Sequence, residues 1–234
     1  VYEVIPYFNG QPLGETGHIQ RLQRSLTHLN IPINNSIEQW RKILDQLISL
    51  NNLGSENFSI YIQISRGAME YRAHTPEENI QPTLVAFCMP MNQPNPLNNH
   101  KAILAEDTRH NMCHIKSTNL LANTVLLQSA YLQDALEVIL HKNGFITECS
   151  SSNVFIVKNK IIVTPPQNNN ILSGITRGIV LNLAKKHKLP HQEAPIRIAE
   201  LKAADEIWVT SSTKQICPIT QLENNAVGNG NIGP

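Results

Sequence analysis

The residues of this chain best suited by type and spacing to do chemistry are Lys116 and the stretch from Glu148 to Arg177. That stretch reads ECSSSNVFIVKNKIIVTPPQNNNILSGITR. It places an acid before a run of hydroxyls, then two short apolar segments, then a glycine that opens a helix. An anionic ring cofactor asks for an acid to face a ring nitrogen, small hydroxyls for a phosphate, and free backbone N–H groups at a helix start. This one segment offers all three.

Each feature also has a plainer explanation. Lys116, in HIKSTNLL, sits just before a helix whose apolar face begins at Leu120. A lysine of ordinary pKa, about 10.4, is neutral only about once in a few thousand at pH 7, so an amine that reacts with a carbonyl needs desolvation or positive neighbours. Taken alone, Lys116 is a solvated residue at a loop end. Glu148 closes the return strand of a hairpin that turns at Asn143-Gly144. The Ser150, Ser151, Ser152 run after it is either a hydroxyl-rich turn or a ligand contact. Gly174-Ile175-Thr176-Arg177 is either an ordinary helix start or a phosphate seat, where unpaired N–H groups and the positive dipole end favour an anion. The strand EIWVTSST ends in Thr210, Ser211, Ser212 and Thr213, a plain turn or a second set of phosphate donors.

Hydrophobic periodicity supplies the elements that must position these groups. HIQRLQRSLTHLNI and SIEQWRKILDQLISL carry apolar residues at helical spacing, through Ile19, Leu22, Leu26 and Leu29 and through Ile37, Trp40, Leu44 and Leu47. VYEVIPYFNG, NFSIYIQISRG and PTLVAFCMP are strands bounded by turn residues, and together these make a first α+β domain over residues 1–88. MPMNQPNPLNNH, residues 89–100, holds three prolines and four asparagines without apolar periodicity and is the expected linker. A larger domain, 101–234, follows with strands at KAILAED, ALEVILHK, FITE, SNVFIVKN, KIIVTPP and EIWVTSS and helices at NLLANTVLLQSAYLQ and ITRGIVLNLAKKHK.

Composition narrows the classes of function. With 41% hydrophobic and 16% charged residues in 234, the chain is an ordinary globular protein. Nineteen basic and 18 acidic residues give a formal charge of +1 without a single-sign run, which argues against nucleic acid or an anionic membrane as partner. No apolar run reaches the roughly 18 residues of a membrane helix, and Cys88, Cys113, Cys149 and Cys217 show no disulfide or C-x-x-C spacing, so the expected compartment is cytoplasmic. Cys113-His114 lacks a second pair and makes a poor metal site, so no metal is expected.

Taken together, the segments resemble the fold-type IV pyridoxal-phosphate enzymes: D-amino-acid aminotransferases, branched-chain aminotransferases and aminodeoxychorismate lyases. The likeness runs in order through VYEV, HIQRL, YIQISRG, RAH, IKSTNLLAN, the acid and SSSNVF, TPP, ILSGITR and VTSST. It implies an α+β fold, with a small α/β sandwich domain and a larger mixed β-barrel-like domain with helices, and pyridoxal 5′-phosphate as cofactor. Lys116 resembles the lysine that holds the cofactor as an internal aldimine and moves the substrate proton. Glu148 is similar to the acid that pairs with the pyridine nitrogen, an ion pair worth about 4 kcal/mol at 4 Å and an effective dielectric near 20. Arg21 resembles the phosphate-gripping arginine, with the Ile175 and Thr176 N–H groups and Ser211 and Ser212 as further donors. Leu172 resembles the leucine that packs on the ring, and Ser151 and Ser152 lie near its edge.

Substrate choice within that family rests on Tyr2 in VYEV and on Arg72 and His74 in EYRAH, which resemble the carboxylate trap of the D-amino-acid aminotransferases. In that subfamily the Arg and His come from the partner of a homodimer. The resemblance therefore implies transamination of D-amino acids, D-alanine among them, with a 2-oxo acid acceptor such as 2-oxoglutarate, in a ping-pong cycle. The alternatives are an L-branched-chain aminotransferase, an aminodeoxychorismate lyase, or a non-catalytic truncated relative. Two departures stand out: Cys149 where the family has a glycine after the acid, and a longer connection before Arg72. Both termini look truncated, by a hairpin before Val1 and a closing helix after Pro234, so an open strand edge and a poorly anchored Tyr2 are expected.

Overall fold

Asn9 and Gly10 adopt φ of 48° and 72° in the computed structural model, which describes residues 1–77, 79–91, 95 and 98–233. Two successive positive φ values are what a type I′ hairpin turn requires, so β1 (Tyr2–Phe8) folds back onto the short β2 (Gln11–Pro12). The helices α1 (Glu15–His28) and α2 (Ile37–Leu50) follow, then β3 (Phe58–Ser65) and β4 (Thr83–Pro90). Ser36 starts α2 through a capping box with Gln39. The strands form an antiparallel sheet in the order β2-β1-β3-β4.

The period-2 alternation of β1 and β3 sends Ile5, Tyr7, Ile60, Ile62 and Ile64 to one face. There they meet the stripes Ile19, Leu22, Leu26 and Trp40, Leu44 of the helices in one core. On the opposite face Tyr2, Tyr61 and Phe87 stack in file, with centroids 5.7 and 5.1 Å apart. Tyr2 is anchored more firmly than expected. Its N–H donates to the Lys116 carbonyl at 2.9 Å, while Val1 bonds to Ile64.

Residues Val1–Asn92 and Ile115–Thr118 make up this smaller unit, and Gln93–His114 with Asn119–Pro234 the larger. The four residues around Lys116 thus pack with the small unit, although a division along the chain puts them in the second domain. The segment expected as linker begins inside β4 and ends at the first residue of the next strand; its residues 92–94 and 96–97 lie outside the described ones.

The larger unit runs β5 (His100–Glu106), α3 (Leu121–Tyr131), β6 (Glu137–Lys142), β7 (Phe145–Cys149), β8 (Asn153–Lys158), β9 (Ile161–Thr164), α4 (Ile175–Lys186), β10 (His191–Glu193), α5 (Ile198–Lys202), β11 (Glu206–Ser211), β12 (Gln215–Leu222) and β13 (Asn225–Ala226). Its mixed sheet, a curled half-barrel, has the order β10-β9-β8-β11-β12-β5-β6-β7, with β13 on β12. The β5–β6 pair is parallel and needs a crossover, which α3 supplies. Ala102 and Ile139 face the main core while Ile103, Val138 and Leu140 pack under α3, so both faces of these strands are buried. Among the described residues no helix is long and apolar enough to cross a membrane.

The strand β12 is not among the strands read from the sequence; QICPITQL carries a proline in its centre, and proline disfavours inner strands. The structure accommodates it by dividing the strand. Pro218 lies in the part that pairs with β11 through Gln215–Ile219, and the ladder with β5 starts only at Ile219, beside a bulge. A donor missing from Pro218 therefore interrupts no ladder on the β5 side.

Gly10 and Gly144 both occupy positive-φ hairpin positions, but a Cβ on Gly10 would overlap the Gly54 carbonyl whereas one on Gly144 would meet open space. Gly144→Ala should therefore cost only the backbone term, roughly 1–2 kcal/mol. Gly10→Ala should cost distinctly more. Urea unfolding of both variants checks this, and equal losses would contradict it.

Candidate functional site

In the small unit, Glu3 points from β1 into the core face and is fully buried. A carboxylate there must be paired, and α1 pairs it from one turn. Arg21 donates Nε to Oε1 at 2.7 Å and Nη2 to Oε2 at 2.9 Å, and His18, three residues earlier, places Nδ1 2.8 Å from Oε2. Burial alone would raise the Glu3 carboxyl; the Arg21 charge and hydrogen bonds outweigh it and hold the group at about 2. Burial likewise lowers His18, against the pull of Glu3. Arg21 is thus fixed in rotamer by a buried bidentate pair, with the guanidinium plane set by β1. Lys116 lies in the same unit, with Nζ 4.1 Å from the centroid of the Tyr2 ring. Tyr2 and Lys116 are therefore brought together. Arg72 and His74 are exposed, on the connection from β3 to β4.

In the larger unit, Glu148 is the penultimate residue of β7 and is buried. Its Oε1 accepts Arg109 Nη1 at 2.5 Å, and its Oε2 accepts Asn153 Nδ2 at 3.0 Å and the Leu172 N–H at 3.1 Å. Arg109 is itself shared: Nε and Nη2 bind the Asp107 carboxylate at 2.9 and 2.8 Å, and Nη2 also reaches the Asn170 carbonyl. With one cation between two acids, the acids part. Burial raises Glu148 to about 7 despite Arg109, whereas at Asp107 the Arg109 bonds and the Thr147 hydroxyl overcome burial and lower it. A carboxylate has about four acceptor sites; described residues take three on Glu148, leaving capacity for a ring N–H.

The start of α4 lies against this acid. A Cβ on Gly174 would overlap Asn153 Oδ1, so only glycine lets the helix start approach the residue that holds Glu148. The first turn of α4 has no side-chain cap, which leaves its N–H groups at Ile175 and Thr176 available to an anion. Thr210, directly across the β8–β11 ladder from Asn153, is buried with its hydroxyl unpartnered among the described residues. An orphaned hydroxyl beside an uncapped helix start, followed by Ser211 and Ser212, fits a phosphate. Glu148 fits a ring nitrogen, and Leu172 is tied to it by its own N–H. The larger unit therefore fits a phosphorylated pyridine.

The hydroxyls of Ser151 and Ser152 take another partner. Both donate to Glu137 Oε2, at 2.6 and 2.8 Å, and Ser150 donates to Oε1. The Cys149 N–H bonds to the Ser152 carbonyl, closing the turn. Cys149 has no positive φ, so this turn does not need a glycine at its first position. The chain reading missed Arg109, Glu137, Asn153 and Lys214. A faint signal existed for two of them, in the D-x-R of AEDTRH and in the lone acid of the apolar strand ALEVIL.

Comparisons with known proteins agree on one group. The family model described as amino-transferase class IV matches residues 1–222. A D-alanine aminotransferase of Listeria innocua is 38% identical over 239 residues, covering 100% of this chain and 82% of that protein. A D-alanine aminotransferase of Staphylococcus aureus is 34% identical, covering 100% and 83%. Among solved structures, a branched-chain aminotransferase from Thermoproteus uzoniensis superposes with a TM-score of 0.90 at 24% identity, over 100% of this chain and 80% of that one.

The raised acid has a measurable consequence. Glu148 ordinarily titrates near 4.5 but near 7 in the folded chain, so the unfolded chain gives up this proton first as pH rises. Folding stability should fall between pH 4.5 and 7, by about 3 kcal/mol from this group alone. Glu148→Gln should flatten that part of the profile, measured by denaturant unfolding of the cofactor-free chain at pH 5 and 7.5. An unchanged slope in the variant would contradict the assignment.

Proposed function

Because this chain belongs to the amino-transferase class IV family, we propose that it transfers the amino group of a D-amino acid, D-alanine among them, to a 2-oxo acid such as 2-oxoglutarate. Pyridoxal 5′-phosphate is the cofactor. The observation that carries this is the buried Glu148 set beside an uncapped helix start. Support for the D-amino-acid substrate comes from the relatives named D-alanine aminotransferase, which align with the whole chain at 33–38% identity. The likeness to branched-chain enzymes at 24% identity concerns the fold.

The roles follow from the chemistry of each side chain. Lys116 would hold the cofactor covalently, and its Nζ takes the proton that leaves the substrate's Cα. Glu148, shared with Arg109, would accept the ring N–H; a positive ring nitrogen favours its ionised form. The Ile175 and Thr176 N–H groups, Ser211, Ser212 and Arg21 would bind the phosphate, and Leu172 would support one face of the ring. Bound there, the cofactor supplies an electron-withdrawing ring that acidifies the Cα–H bond. Tyr2, Arg72 and His74 would receive the substrate carboxylate. Arg72 and His74 are exposed on their loop, which suits donation to a second copy, and on that basis the working protein is a homodimer; the scattered, unpaired cysteines support a cytoplasmic compartment.

With pyridoxal 5′-phosphate, D-alanine and 2-oxoglutarate, the protein should form pyruvate in a coupled lactate dehydrogenase assay. Lys116→Ala should lower the rate by roughly 10³-fold or more. Arg72→Met should lower kcat/KM for D-alanine roughly 10²-fold, the scale of one lost charge-assisted pair. Pyruvate formation by Lys116→Ala at the parent rate would overturn the role of the lysine.

A further inference from the structure

Glu137 is fully buried at the head of β6, and donors converge on it from three parts of the larger unit. The serines of the 149–152 turn supply three, the Val138 N–H a fourth at 3.0 Å, and Lys214 Nζ a fifth at 2.8 Å. Lys214 is the only one of these that carries charge. It comes from the turn between β11 and β12, 77 residues away in the chain. Its ammonium also binds Ser151 Oγ at 2.8 Å and approaches Ser152 Oγ at 3.4 Å. A lysine of this kind is normally mobile and solvated; here its side chain is only 17% exposed.

The same residue shapes the turn it leaves. The Lys214 N–H donates to Ser211 Oγ at 3.1 Å. A hydroxyl that accepts from the backbone keeps its own proton to donate elsewhere. The next residue, Gln215, has φ of 56°, a left-handed conformation that a non-glycine residue holds only when its surroundings enforce it. The Cys217 thiol closes on the Lys214 carbonyl at 3.3 Å. One residue therefore ties the 211–213 turn, by its backbone and its side chain, to the 149–152 turn that follows Glu148.

We infer that Lys214 and Glu137 form a buried strut that positions Ser211 and Ser212 as donors to the cofactor phosphate. This rests on the cofactor reading above, since it assigns the turn to that phosphate. Lys214 is a positioning residue: it acts through the turn and needs no contact with the cofactor. The strut also explains why three serines follow Glu148, because a fully buried carboxylate with one cation needs its remaining acceptor sites filled.

The test compares two ligands that differ only in the phosphate. The full chain, freed of cofactor, is titrated with pyridoxal 5′-phosphate and with pyridoxal, and binding is followed by absorbance and protein fluorescence. Lys214→Met should weaken pyridoxal 5′-phosphate at least tenfold and leave pyridoxal within about twofold of the parent. Lys214→Arg, which restores the charge, should recover most of the loss. If Lys214→Met fails to fold by circular dichroism, the charge-neutral pair Glu137→Gln with Lys214→Met carries the comparison. Unchanged affinity for pyridoxal 5′-phosphate, or equal weakening of both ligands, overturns the strut while leaving the cofactor assignment in place. A parent chain that binds neither ligand overturns the cofactor assignment and the strut with it.

Discussion

The Arg109 guanidinium, shared between Asp107 and Glu148 inside the larger unit, is the interaction on which the candidate site depends. One cation cannot fully neutralise two buried acids, so the pair divides unequally. Asp107 takes the bidentate contact and a hydroxyl, and its pKa falls; Glu148 takes a single guanidinium N–H, and burial wins, leaving it near 7. A positive ring nitrogen brought against an acid so poised would favour its ionised form. The surrounding contacts, from Asn153 and the Leu172 N–H to the close approach of Gly174, fix where its remaining acceptor direction points.

Two other buried acids obey the same rule with different outcomes. Glu3 has a bidentate arginine and a histidine, and is held at about 2. Glu137 has one lysine and three hydroxyls, and is also lowered. Fully desolvated charges are weak sources of stability, because desolvation consumes most of the Coulomb gain. Their value lies in geometry: Glu3 ties β1 to α1, Glu137 ties β6 to the turn between β11 and β12, and each holds a residue or turn proposed to contact the cofactor. Arg21 is oriented through Glu3 and the 211–213 turn through Glu137. The apolar cores build the two units, and the buried carboxylates set the finer positions within them.

Much of this was legible in the chain, and the reasons for success and failure are physical. The Asn9-Gly10 and Asn143-Gly144 pairs name their own turn type, and the stripes of α1 and α2 follow from the helical period. Those are local properties. The strand β12 was hidden because Pro218 contradicts an inner strand unless one knows that its β5 ladder begins a residue later. Glu148 could be singled out, but not Arg109, 39 residues away. The serine run was visible as a run, yet its target Glu137 and the companion Lys214 depend on how β6, β7 and the β11–β12 turn meet. Periodicity encodes elements; it does not encode which charge will follow another into the interior.

The most direct test of the account is the half-reaction of the wild-type chain, loaded with pyridoxal 5′-phosphate and given one amino acid without an acceptor. D-alanine should convert the pyridoxal absorbance to that of pyridoxamine phosphate in step with pyruvate release, while L-alanine and L-leucine leave it unchanged. Conversion by L-leucine, with D-alanine inert, would contradict it.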